Sequence, residues 1–172
     1  MRLTDEWTPT LEGAFGEVGK LARGAELFVK EAIESWGWEV KDNESGFADQ
    51  VAGRDLLIKK PTWANFYSID VKANMNEFGV FNVESNENGW LFNPKKKSDR
   101  IWHVNQNTGW MAWYGRNEMK QYIINNSLTN TGLVRILPTQ KLSFITRSRY
   151  NKNEKTKIHL DHVSERRDTQ VS

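Results

Sequence analysis

Cysteine is absent from the 172 residues, and histidine occurs 3 times. Without thiols, disulfide frameworks, cysteine nucleophiles and cysteine-ligated zinc are excluded. His159-Leu160-Asp161-His162 groups two of the three imidazoles beside a basic tail. That segment reads as exposed or phosphate-contacting rather than zinc-binding. No apolar run approaches the roughly 20 residues that a bilayer-crossing helix needs. The start, M-R-L-T-D-E-W-T, lacks the apolar stretch of a secretory leader. The expectation is a soluble cytoplasmic protein with no membrane partner, including the setting of a phage-infected cell. Walker glycine loops, dinucleotide fingerprints and G-x-S-x-G elbows are missing as well, which removes the signatures of nucleotide-cofactor enzymes and serine hydrolases.

Tryptophan is plentiful, with 8 residues, and the net charge of +2 conceals an asymmetry. Residues 1–50 carry five basic against eleven acidic side chains, whereas residues 133–172 carry nine against four. A polyanion would therefore meet the later part of the chain.

Leu21, Ala25, Phe28, Val29, Ala32, Ile33 and Trp36 recur at helical spacing and predict one buried stripe. Gly37 suits the end of that helix. Glu26 has Ala22, Val29 and Ile33 as helical neighbours, so it sits at the stripe's border, where a carboxylate needs a partner or a metal. Strands are predicted at Trp38–Lys41, Arg54–Lys59, Tyr67–Lys72 and Gly79–Glu84, with Asp42 to Gly53 a loop. Ile101–Asn105 and Gly109–Tyr114 read as a hairpin, Arg116–Asn125 as a helix. Leu133–Leu137 and Leu142–Thr146 read as short strands, and Ile158–Val163 as a final strand or a short turn. This order predicts an α/β (α+β) fold, a mixed sheet flanked by helices with an added hairpin. One domain is expected over residues 1–172, with its core at about 20–125 and a basic extension at about 133–172.

The chemistry concentrates in Y-S-I-D-V-K. Alternation puts Tyr67, Ile69 and Val71 on one face of a strand and Ser68, Asp70 and Lys72 on the other. Asp55 stands at the start of the preceding strand, and Glu26 on the helix before it. This order of helix, strand and strand resembles the PD-(D/E)xK nuclease superfamily. Its members place an acid at the start of one strand, a D/E-x-K triplet on the next and often a glutamate on the preceding helix. The likeness spans about Lys20 to Asn74, and Arg54 stands where the family's name has proline.

The resemblance implies a restriction-endonuclease-like core and a catalytic set of Asp55, Asp70, Lys72 and Glu26. It further implies Mg²⁺ or Mn²⁺ held by Asp55, Asp70 and the Val71 backbone carbonyl, with Glu26 in support. Hard oxygen ligands suit those ions, and carboxylates on adjacent strands would repel a phosphate unless a cation intervened. The substrate would be DNA, cut by a homodimer with one site per chain. Lys95, Lys96, Lys97, Arg100, Arg147, Arg149 and Lys152 are candidate phosphate contacts. Trp90, Trp102, Trp110 and Trp113 read chiefly as core and hairpin residues, with one or two wedging against bases. The hairpin and basic extension favour a sequence-recognising, homing-type double-strand cutter. The alternatives are a Holliday junction resolvase and a non-catalytic nucleic-acid-binding protein.

Overall fold

The computed structural model describes residues 17–42, 56–151 and 156–159. Helix α1 spans Glu17–Ser35. It stops where expected: Gly37 takes φ +86, its N–H reaches Glu34 O and that of Trp38 reaches Ile33 O. Those two bonds satisfy carbonyls the helix end would otherwise leave open.

Three strands follow, β1 (Glu39–Asp42), β2 (Leu56–Lys59) and β3 (Tyr67–Lys72), paired antiparallel in sequence order. Strand β3 then pairs in parallel with β5 (Arg100–Val104), Asp70 standing opposite Ile101 and Lys72 opposite His103. A parallel pair needs a long crossover. Here the crossover carries β4 (Phe81–Glu84), which joins β7 (Leu133–Ile136) in a separate two-stranded sheet. Strand β6 (Trp110–Gly115) returns as a hairpin with β5 and leads into helix α2 (Arg116–Asn125). Strands β8 (Thr146–Asn151) and β9 (Thr156–His159) complete a seven-stranded sheet in the order β1-β2-β3-β5-β6-β8-β9. The architecture is α+β, a mixed sheet with two helices among the described residues. Neither helix is long and apolar enough to cross a membrane.

Alternation sorts the core into two layers. On one face of the sheet, Ala25, Val29, Ala32 and Ile33 of α1 pack against Leu56, Ile58, Ile69, Val71, Trp102 and Trp113. Trp102 and Trp113 stack there, 4.0 Å between ring centroids at 8°. On the other face, Met119 and Ile123 of α2 and Phe81 and Val83 of β4 cover Ile101, Ala112 and Tyr114. Each buried aliphatic side chain contributes roughly 1.5–3 kcal/mol over its exposed state. Asp70 and Lys72 therefore project toward the second layer, on the opposite face from α1.

One predicted strand needs correction. Leu142–Thr146 is not a strand: Leu142 O accepts from Ile145 N in a turn, and β8 begins only at Thr146. A last strand is described at Thr156–His159, covering the start of Ile158–Val163, whose remaining residues lie outside the described ones. Strand β1 also runs one residue past its expected end, to Asp42.

Candidate active site

Asp70 occupies the interior of a central strand and is 3% exposed. Lys72 Nζ lies 3.2 Å from its Oδ2. That contact is an ion pair without hydrogen-bond alignment, because Oδ2 is buried and has no hydrogen-bond partner among the described residues. An exposed strand pair of this kind would contribute at most about 1 kcal/mol. A buried carboxylate with an unsatisfied oxygen is a different object, since desolvation costs more than one cation returns. The unfilled lone pairs of Oδ2 suit a hard cation.

Further polar groups share this side of the sheet. Lys72 lies over the Trp90 ring at 5.2 Å. Tyr114 is buried, and burial followed by the negative charge of Asp70 pushes its phenol well above the ordinary 10.0. Arg116, buried at the start of α2, donates from Nε to Ser98 O at 2.8 Å and from Nη2 to Ser98 Oγ at 2.7 Å. Its Nη1 reaches Trp90 O and Leu91 O. Burial lowers its pKa, while Asp70, Tyr114 and Asp99 oppose that shift. With its fork filled by one chain segment, Arg116 clamps both ends of the stretch that carries Lys95, Lys96 and Lys97.

Glu26 lies among other partners. Arg23 Nη1 donates to its Oε1 at 2.9 Å. Burial raises its pKa above the ordinary 4.5, Arg23 opposes the rise, and Asp42 and Asp70 add to it. Asp42, on the α1 face of β1, is held by Lys30 Nζ at 3.3 Å, and its Oδ1 is a second buried oxygen lacking a hydrogen bond among the described residues. Sequence reasoning missed Asp42 by placing it in a loop, although alternation from Val40 points it toward the helix. Glu26 thus feels the field of Asp70 but contacts the Arg23–Asp42 group directly.

Asp55 lies outside the described residues. It precedes Leu56 in the chain, and Leu56 pairs with Ile69, the neighbour of Asp70. Among the described residues, no three acidic or imidazole side chains converge as a metal cage. Asp70 is the expected metal ligand that lies within them with an open, buried oxygen.

The candidate phosphate contacts separate. Lys95 and Lys97 are exposed and Lys96 is half-buried. Arg100, expected among the surface contacts, is buried instead. It pairs with Ile69 on the α1 face, and its guanidinium lies 4.8 Å from the Trp63 ring and 5.5 Å from that of Tyr67. Arg149 donates to Thr108 O at 2.8 Å and covers Trp110 at 5.3 Å. Arg147 donates to Gly79 O at 2.9 Å, and burial lowers its pKa to about 10. Lys152 lies outside the described residues.

No protein-family model, curated protein or solved structure matches this chain.

Proposed function

We propose that the chain is a metal-dependent DNA endonuclease of the PD-(D/E)xK kind. The observation that carries this reading is Asp70: a buried carboxylate with an open oxygen, beside Lys72, on the strand where the D-x-K triplet falls. The order α1-β1-β2-β3 supports it, as does parallel pairing of β3 with the strand beyond it. A non-catalytic binding protein would gain nothing from a desolvated acid aimed at a phosphate.

Asp70, Asp55 and the Val71 carbonyl would hold Mg²⁺ or Mn²⁺, and Glu26, on the α1 side and paired with Arg23, would act on the ion through its charge rather than as a ligand. When bound, the ion supplies an acidified water and neutralises charge on the phosphate. Lys72 orients that water or stabilises the charge that develops at phosphorus. Cutting both strands would take two copies of the chain, and the hairpin with the basic β8 strand favours duplex recognition by a homing-type cutter.

Plasmid nicking in Mg²⁺ against EDTA tests the assignment. Asp70→Ala and Lys72→Ala should each abolish nicking while DNA binding persists. Nicking that survives in both variants discards it. A junction resolvase would cut a four-way junction in preference to duplex of the same sequence; the homing-type reading expects the reverse.

A further inference from the structure

Lys72 carries its charge on a flexible four-carbon stem, and its side chain is 26% exposed against 5% for that of Asp70. Coulomb attraction to Asp70 Oδ2 at 3.2 Å draws the ammonium near but fixes no direction, since the pair lacks hydrogen-bond alignment. A divalent cation on the same oxygen would weaken even that hold, because it shares the negative charge and repels the ammonium. An ammonium that acts beside such a site needs a second partner, one that a metal leaves unchanged. The face of an aromatic ring is such a partner: it attracts an ammonium, whereas hard divalent ions prefer oxygen.

Trp90 supplies that face. Lys72 Nζ stands over its ring, 5.2 Å from the centroid. The residue is fastened at both backbone groups: Trp90 N donates to Glu84 Oε1 at 3.0 Å, and Arg116 Nη1 donates to Trp90 O. Gly89 lets the Glu84 side chain pass, for an added Cβ there would stand 2.9 Å from Glu84 Cβ and 2.7 Å from its Oε1. The indole packs against the buried His103 imidazole, 5.8 Å between centroids at 59°. A half-buried ring tied to β4, β5 and α2 is thus held in place against Lys72.

We propose that Trp90 is a positioning residue for the reaction: its ring seats the Lys72 ammonium beside Asp70, where the attacked phosphate and its water would come. The part of this that concerns catalysis rests on the nuclease reading; the seating of Lys72 does not. Trp90 touches neither phosphate nor cation and acts through Lys72 alone. A misplacement of about 1 Å at such a group costs up to about a hundredfold in rate, so its loss falls on turnover and not on DNA affinity.

The test reads the seat and the rate separately, on the full chain. Without metal or DNA, the Lys72 ε-methylene protons are followed by NMR. In the wild type they should lie upfield of ordinary lysine, because the ammonium they adjoin sits over the indole face. Trp90→Leu should return them to the ordinary position, Trp90→Phe should keep most of the shift, and Asp70→Asn should leave it in place. In plasmid nicking with Mg²⁺, Trp90→Leu should lower kcat about tenfold to a hundredfold with KM held within about twofold, and Trp90→Phe should recover most of the rate. The wild-type spectrum needs no variant, so a folding failure of Trp90→Leu cannot shield the proposal. Ordinary wild-type signals, a shift that survives in Trp90→Leu, or one that vanishes in Asp70→Asn overturns the seating. A rise in KM with kcat intact, or Trp90→Phe as slow as Trp90→Leu, overturns the role in turnover. Nicking absent from every protein discards the nuclease reading and the catalytic role with it, while the spectrum still decides whether Trp90 seats Lys72.

Discussion

His103 Nε2 lies 2.7 Å from the Tyr114 hydroxyl, and both side chains are buried. The rest of the network assigns the protons. Asn74 Nδ2 donates to Asn82 O at 3.1 Å, so Asn74 Oδ1 is the atom facing His103 Nδ1. Nδ1 therefore carries the hydrogen, and Nε2 accepts from Tyr114. Phe81 stacks on the imidazole at 4.0 Å. This chain ties the crossover after β3 to the hairpin strands beneath it, directly alongside Lys72.

Burial, with Lys72 and Arg147 adding repulsion, drives the His103 pKa well below the ordinary 6.5. The folded state thus refuses a proton that the unfolded chain accepts. Stability conferred by a neutral His103 is complete above about pH 6.5 and is lost as pH falls below it, by up to about 1.4 kcal/mol per pH unit. Urea unfolding at pH 7.5 and at pH 5 should show that loss, and His103→Gln should flatten the slope while lowering stability at the higher pH. Equal slopes in the two proteins would show that His103 charges readily in the fold.

Arg116 predicts a local effect on top of a global one. Its fork satisfies Ser98 O, Ser98 Oγ, Trp90 O and Leu91 O, and a lysine ammonium cannot match that geometry. Arg116→Lys should cost about 2–4 kcal/mol, since hydrogen bonds to charged groups are worth about 1.5–3 kcal/mol each and are not additive. Trypsin should also cut after Lys95, Lys96 or Lys97 sooner than global unfolding accounts for. Unchanged cleavage there would mean that the segment holds its shape without the clamp.

Where local pattern and tertiary packing agree, the sequence was readable. Tyr67–Lys72 and Arg116–Asn125 occur with the ends expected of them, because strict alternation or helical spacing matched the buried faces. Strand β8 was missed because its inward residues are Thr146, Ser148 and Tyr150, and small polar side chains leave no apolar rhythm. Asp42 was assigned to a loop by the Asn and Ser that follow it. Arg100 looked like surface charge, but its partners Trp63 and Tyr67 lie far off in sequence. The Asn74–His103–Tyr114 chain depends on the crossover and on the β5–β6 register, which no local motif encodes.

Glu26 offers a test of function stored as instability. Its folded pKa lies above the ordinary 4.5, so its contribution to stability is fully present below about pH 4.5 and is lost as pH rises through the folded value. At pH 7 the charged form is a net cost. Glu26→Gln should therefore raise the melting temperature at pH 7 by about 1–3 °C, as a gain of some tenths of a kcal/mol does for a chain of this size, and the gain should vanish near pH 4. Calorimetry at the two pH values decides it. A lower melting temperature at pH 7 would mean that the Arg23 contact outweighs desolvation.

Asp70 yields the prediction on which a bound cation stands or falls without any DNA. A ligand that binds the folded chain alone stabilises it by RT ln(1 + [L]/Kd), about 2.7 kcal/mol at one hundred times Kd. Mg²⁺ or Mn²⁺ at saturation should accordingly raise the wild-type melting temperature by several degrees. Asp70→Asn keeps the shape and removes the charge, so its own melting temperature can move either way as Lys72 loses its partner. The increment produced by metal is the informative quantity, and it should disappear in that variant. Lys72→Met should keep or enlarge the increment, because removing the cation 3.2 Å from Oδ2 leaves that oxygen more attractive to a metal. An increment of the same size in wild type and Asp70→Asn would place any bound ion elsewhere and leave the buried carboxylate as an ion pair with no metal to hold.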